Sequence, residues 1–285
     1  MDEIHNRTAI YTPEPQLRHP LRLAKSMGRD LWVSRELAWR LMIRNISAMY
    51  RQTIFGYLWA FLPPVLAAAT FMLLQRGGVT AVGVLRIPYG LWVLSGAFLW
   101  QVFADSVIGP IRLVTTSKAM LAKINFPREA LILASAGEVI FNFLVRLVIL
   151  IGALAWFHVA PSWQIVLLPL PLLTLIGFGL MIGVLCSPLA LLYQDIEKVV
   201  PLMLPFWMLL SGAVVPLKAV GVLGQVVALN PVFPLLDVSR NCLTGQPGTH
   251  FAEVAFILVA TVALLLFGWL LYRLAMPHAI ARIGG

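Results

Sequence analysis

The chain has 285 residues, of which 60% are hydrophobic and only 12% charged, with a formal net charge of +9 and a mean hydropathy of +0.88. Soluble domains carry about 25% charged residues, and a chain this apolar lacks the polar surface to cover itself in water, so its surplus apolar side chains face lipid. Nor is the positive charge a nucleic-acid footprint: nine of the 21 Lys and Arg precede Thr53 and flank the first apolar run, the pattern that the positive-inside rule gives a cytoplasmic N-terminal segment.

Residues 1–30 are polar, contain Pro13, Pro15 and Pro20, and show no apolar h-region. They predict a cytoplasmic extension without a cleavable signal. Residues 31–52 predict an amphipathic helix. Leu31, Trp32, Leu37, Leu41, Ile43 and Ile46 supply its apolar surface, and Glu36, Arg40, Arg44, Ser47 and Arg51 recur at steps of four, four, three and four. Such a helix lies in the membrane interface, with arginines toward lipid phosphates. Six apolar segments come next, at 54–75, 89–109, 130–157, 165–192, 199–216 and 252–275. A hydrocarbon core needs about 20 helical residues. No alternating pattern suggests barrel strands, so residues 53–285 read as an all-α domain of six transmembrane helices.

Pro63 and Pro64 fall inside the first segment and predict a kink there. The fifth segment is short. The stretch Ser211–Gly248 after it is too apolar for a free loop and too broken by Gly and Pro to span. It predicts short re-entrant helices, covered by protein or a wet cavity. Counting basic residues on the two sides of this topology gives 16 against four, with Arg146 inside a span. Both termini are therefore expected in the cytoplasm. Cys186 and Cys242 would lie on opposite sides and form no metal spacing.

Several side chains stand out as carriers of function. Tyr57, Trp59, Trp92 and Trp100 sit near the ends of the first two spans. They suit an interfacial aromatic belt, or a path that stacks on sugar rings. Asp105 lies in the second span, and Glu138, Asn142 and Arg146 share a face of the third. Intramembrane charge is costly, by about 2.5–3.5 kcal/mol per group on insertion scales. That face should point into the bundle, with Glu138 paired to Arg146 through Asn142 or the set touching an anionic substrate. There is no GxxxxGK[ST], HExxH or GxSxG, no cysteine cluster, and the five histidines are scattered. The chain shows no enzyme site, and any ATP chemistry would belong to another subunit.

Four segments in this order resemble one family. "MYRQTIFGYLWAFLPP" (Met49–Pro64) is similar to the start of the first span in polysaccharide-export permeases, the transmembrane subunits of ABC-2 type ABC transporters. "KAMLAKINFPREAL" (Lys118–Leu131) resembles their cytoplasmic segment before the third span. "LLYQDIEKVVP" (Leu191–Pro201) resembles their turn before the fifth, and "SGAVVPL" with "NPVFPLLDVSRNCLTG" resembles their stretch between the fifth and sixth spans. The likeness runs from about Leu31 to the C-terminus. Three positions depart from the pattern: Gln194 where Arg is usual, Gly212 where Pro is frequent, and Met49 where a basic residue is common.

The resemblance implies a homodimer in the bacterial inner membrane with two copies of a cytoplasmic ATPase subunit, ATP and Mg residing in that partner. Its substrate would be a glycan on undecaprenyl diphosphate, of O-antigen, capsule or teichoic-acid type. The ATPase-coupling surface would include Arg40, Arg44, Arg51, Lys118, Lys123, Phe126 and Pro127. The substrate path would include Tyr57, Trp59, Trp92, Trp100, Glu138 and Arg146. Other readings are an ABC-2 permease for drugs or another lipid, and a non-transporting membrane scaffold.

Overall fold

A computed structural model describes residues 20–50, 62–77, 85, 87–124, 126–160, 162–215, 227, 229–246 and 250–284. The described residues are helical, with no strand among them. In chain order the helices are α1 (Pro20–Tyr50), α2 (Leu62–Arg76), α3 (Tyr89–Thr116), α4 (Lys118–Lys123), α5 (Glu129–Trp156), α6 (Pro169–Leu192), α7 (Gln194–Leu209), α8 (Val232–Thr244) and α9 (Phe251–Gly284). A 3₁₀ turn at Trp163–Leu167 leads into α6, with the Ser162 hydroxyl accepting from the Gln164 amide. Among the described residues, four stretches are long and apolar enough to cross a membrane: α3, α5, α9, and α6 with its leading turn. α2 and α7 have 15 and 16 residues, shorter than a full span.

α1 is one continuous helix that starts at Pro20, earlier than the expected start at Leu31. Proline is tolerated in a first turn, where its missing donor leaves no helix bond unmade. The same tolerance applies to Pro63 and Pro64, which stand in the first turn of α2 as described. The expected kink depends on residues before Leu62, which lie outside the described residues.

The centre of the bundle is α3. Of its apolar stretch 72% is buried, against 22% for those of α5 and α9. The reason is visible in two glycines of α6. A Cβ on Gly179 would stand 2.5 Å from the Ser106 Cβ and 2.9 Å from the Phe103 carbonyl oxygen, and one on Gly183 would stand 2.5 Å from the Val107 oxygen. Glycine at these two positions therefore brings α6 to backbone distance from α3, as small residues do in membrane helix pairs. Because 179 meets 103–106 and 183 meets 107–110, α3 and α6 run in the same direction. α9 runs alongside them, with Thr261 beside Gly177 and Gly268 beside Leu185. α5 runs opposite: Ser135 meets Gly109, and Arg146 meets Asp105 further along.

This arrangement sorts the charges. The C-terminal ends of α3, α6 and α9 and the start of α5 share one end, with Arg112, Lys118, Lys123, Arg128 and Arg273; we call it the basic end. A second apolar cluster closes it, joining Ala38 and Leu41 of α1 to Leu113, Leu121, Leu131, Val184, Tyr272 and Met276. The larger cluster fills the middle and the opposite end.

Replacing Gly183 by Leu is expected to destabilise the bundle by about 1–3 kcal/mol, the usual penalty for overpacking. Gly152→Ala is the control, since nothing lies within 4 Å of a Cβ there. Thermal aggregation of the detergent-solubilised protein followed by size-exclusion chromatography checks the pair: the midpoint should fall for Gly183→Leu and hold for Gly152→Ala.

Candidate functional site at the basic end

α1 is joined to the bundle by polar contacts near both of its ends. Asp30 accepts from Arg273 of α9 at 2.7 Å, and the same guanidinium stands 3.7 Å from Glu129 at the start of α5. At the other end, the Asn45 amide donates to Glu138 at 2.9 Å, and Arg112 of α3 donates to the second oxygen of that carboxylate at 3.1 Å. Arg44 in turn donates to the Asn45 carbonyl oxygen at 3.2–3.3 Å. The result is a polar chain, Arg44 to Asn45 to Glu138 to Arg112, that joins α1, α5 and α3. Each donor in such a chain polarises the next. The two attachments, Asp30 and Asn45, are 15 positions apart, about 22 Å of helix at 1.5 Å per residue. Met42 lies over Gly137, its sulfur 2.5 Å from where a Cβ would be, so α1 sits directly on α5.

The face of α1 that meets the protein carries Met27, Ser34, Ala38 and Leu41, all buried. Trp32, Trp39 and Ile43 form a second, exposed stripe, with Arg35 over the Trp32 ring at 4.0 Å. A third stripe holds Glu36, Arg40 and Arg44. The helix thus has three faces rather than the two expected from the sequence, because a protein-facing side is inserted. Glu36 and Arg40 pair at 2.7 Å with both side chains 74% exposed, and such pairs contribute little, about 0–1 kcal/mol.

At the same basic end, the short helix α4 and the segment before α5 line a cleft of about 220 Å³ formed by Leu121, Ala122, Lys123, Ile124, Phe126 and Arg128. Ile124 is exposed at its edge, and Pro127 comes after Phe126 where the chain enters α5. The Arg128 carbonyl accepts from Tyr272 at 3.3 Å, which ties this rim to α9. Thus Lys123 and Phe126 share one cleft, with Lys118 at the start of α4 and Pro127 at the rim. Arg40 and Arg44 stand on α1. Arg51 lies outside the described residues.

The residues assigned to a substrate path are distributed differently. Tyr57 and Trp59 lie outside the described residues. Trp100 is 3% exposed and belongs to a buried aromatic group, with ring centroids 5.1 Å from Phe103 and 6.3 Å from Trp207. Trp92 carries the Arg240 guanidinium over its ring at 3.9 Å. Glu138 and Arg146 each have a partner on another helix. Glu138 is held by Asn45 and Arg112, and Arg146 donates to Asp105 at 2.7 Å. The other oxygen of Asp105 accepts from Gln101 at 3.0 Å. The spacing along α5 puts both charges on one face, and that face meets α3, whose Arg112 and Asp105 pair with them. Asn45 and Arg112 were the partners that sequence reasoning missed. One signal was available: Asn45 continues the Ser34, Ala38, Leu41 spacing of the protein-facing stripe.

The described residues thus form an all-helical bundle with several helices fit to span a membrane and a helix fastened to its basic end, the class of a multi-pass membrane protein. Residues 36–244 match the ABC-2 type transporter family, and the chain belongs to it. Among curated proteins it is similar to the O-antigen export system permease protein RfbA of Myxococcus xanthus, at 26% identity over 84% of this chain and 92% of that one. Two Klebsiella pneumoniae proteins of the same name match at 25% and 24% identity, each over 81% of this chain and 91% of theirs. The resemblance read from the four sequence segments is thereby met.

If the Asn45–Glu138 contact holds α1 down, Asn45→Ala and Glu138→Ala should each lower stability by about 1–3 kcal/mol, the cost of orphaning a buried polar partner. The double variant should then cost less than the sum, by roughly 0.5–3 kcal/mol. Arg40→Ala should change stability by less than about 1 kcal/mol. A double-mutant cycle on thermal midpoints in detergent reads all three.

Proposed function

We propose that this chain is the permease subunit of an ATP-driven exporter that moves a lipid-linked polysaccharide, an O-antigen-like glycan on undecaprenyl diphosphate, across the bacterial inner membrane. It works as a homodimer of six-helix subunits with both termini in the cytoplasm, and two copies of a separate ATPase subunit supply the energy. ATP and Mg belong to that subunit. The family assignment supports an exporter permease, and the relatives' names favour a glycan cargo.

The observation that carries the reading is the cleft of Leu121–Arg128 at the end of the bundle where α1 is fastened to α5 and α9. A cytoplasmic partner seated there would push on α4, and α4 abuts α9 and α3. The tilt of α1 would then reach the spanning helices through Glu138 and Arg273. Trp32 and Trp39 would keep α1 in the interface while Arg40 and Arg44 face the lipid phosphates. α8 would be a re-entrant helix at the outer leaflet, and its burial against protein satisfies the rule for short helices at that depth. Glycan contacts would come from aromatic side chains along the path, for which Tyr57, Trp59 and Trp92 remain the candidates. Trp100 and the Glu138 and Arg146 charges would act by shaping that path.

Reconstitution with a Walker-motif ATPase in vesicles tests the reading. ATP-dependent passage of labelled lipid-linked glycan is expected, and Lys123→Glu with Phe126→Ala should cut it roughly tenfold, a loss of about 1.4 kcal/mol in effective coupling. The permease itself should stay folded. Efflux of small hydrophobic compounds without glycan movement would identify a permease for drugs or another lipid. Absence of both ATPase association and ATP-dependent flux would identify a scaffold.

A further inference from the structure

The opposite end of the bundle holds a buried cation that forms no ion pair among the described residues. Arg240 of α8 is 3% exposed, and among the described residues no carboxylate comes within ion-pair distance of it. Asp237, one turn earlier, is engaged by the Asn241 amide at 3.0 Å. The guanidinium instead donates to the Ala213 carbonyl at 2.9 Å, and more weakly to the Gly212 carbonyl at 3.4 Å, while its flat face lies 3.9 Å over Trp92. Its Nε has no hydrogen-bond partner. Burying a cation among carbonyls and a ring is costly unless the geometry is worth keeping.

What it holds is the turn after α7. A helix leaves its last carbonyls without partners and carries a negative dipole at that end. The carbonyl oxygens of the turn just past that end are taken one by one by other elements. Asn230 donates to the Leu210 oxygen at 3.0 Å, Arg240 takes Gly212 and Ala213, and the Tyr89 hydroxyl donates to the Val214 oxygen at 3.3 Å. Asn230 is itself fixed, accepting from Trp207 and from the Val232 amide, each at 3.1 Å. The turn touches α3 at Gly96, where a Cβ would fall 1.8 Å from the Ala213 oxygen and 2.3 Å from the Arg240 guanidinium. Gly212 turns the chain with φ +66°, which proline cannot reach. The glycine at that position is thus what allows its carbonyl to face Arg240. Ser211, Ala213 and Val214 are fully buried as a result.

We propose that Arg240 is a positioning residue that latches the turn Ser211–Val214 to α3, with Trp92 as the face it is pinned to and Gly96 as the seat, and that this latch holds the opposite end of the bundle shut. The contacts are the chain's own; only the role in transport rests on the export reading. Directional hydrogen bonds and the ring contact fix where the turn sits, while Ala213 and Val214 pack into the apolar core beside them. The ring contact is what favours arginine here: both carbonyls accept from one guanidinium nitrogen, a role that a lysine ammonium could fill, but lysine has no plane to lay on Trp92.

Thiol accessibility of the purified full chain tests this without glycan, ATP or partner. In a Cys186→Ser, Cys242→Ala background, Ala213→Cys reports the latch and Ala130→Cys, buried at the basic end, reports the bundle. With Arg240 present, a charged water-soluble maleimide should label Ala213→Cys slowly. Arg240→Lys or Trp92→Leu should raise that rate at least tenfold while Ala130→Cys stays protected. Should either variant fail to fold, Tyr89→Phe, which removes one hydroxyl, should give a several-fold rise. An Ala213→Cys rate unmoved by these changes overturns the latch, and so does equal loss of protection at Ala130→Cys. Either result leaves the glycan reading standing, and a failure of glycan export leaves the labelling result standing.

Discussion

A charged side chain within a membrane bundle has no water to fall back on, and this constraint organises the chain. Arg146 ends on Asp105, Glu138 on Arg112 and Asn45, and Arg240 on carbonyl oxygens and a tryptophan. In every case one of the partners belongs to α3. That helix can serve all of them because Gly179 and Gly183 bring α6 to its backbone on one side and leave the others free. Close helix contact at the centre and polar pairing at both ends are therefore two halves of one solution.

The two ends use the solution differently. At the basic end the polar groups are side chains on separate helices, spread along about 22 Å of α1, and their geometry suits transmission of a push. At the opposite end the acceptors are backbone oxygens of a single turn, and the geometry suits holding. A permease driven from one face needs both kinds of contact: something that carries movement into the bundle and something that resists it until the movement is large enough.

Much of this was legible in the sequence. Apolar length and the placement of lysine and arginine gave the helical membrane class and put Lys118, Lys123 and Arg112 on one side. The order of four short segments pointed to the family. What escaped was pairing. Periodicity shows that Glu138 and Arg146 share a face of α5, but it cannot say that α3 offers each of them a partner. Trp100 shows the same limit from the apolar side: a tryptophan near a helix end reads as belt or path, and only packing against Phe103 and Trp207 places it inside. Gly212 is the converse case. Its departure from a frequent proline was visible from the start, and its meaning emerged once the positive φ and the Arg240 contact were known.

The central claim is that a lipid-linked glycan crosses the membrane through this subunit. It is tested most directly in cells that make such a glycan, by deleting the chain and measuring both the glycan at the surface and the lipid-linked pool inside. The account predicts loss of the surface glycan together with growth of the inner pool, both reversed by the intact chain. Surface glycan at its normal level, with no growth of the pool, would contradict it.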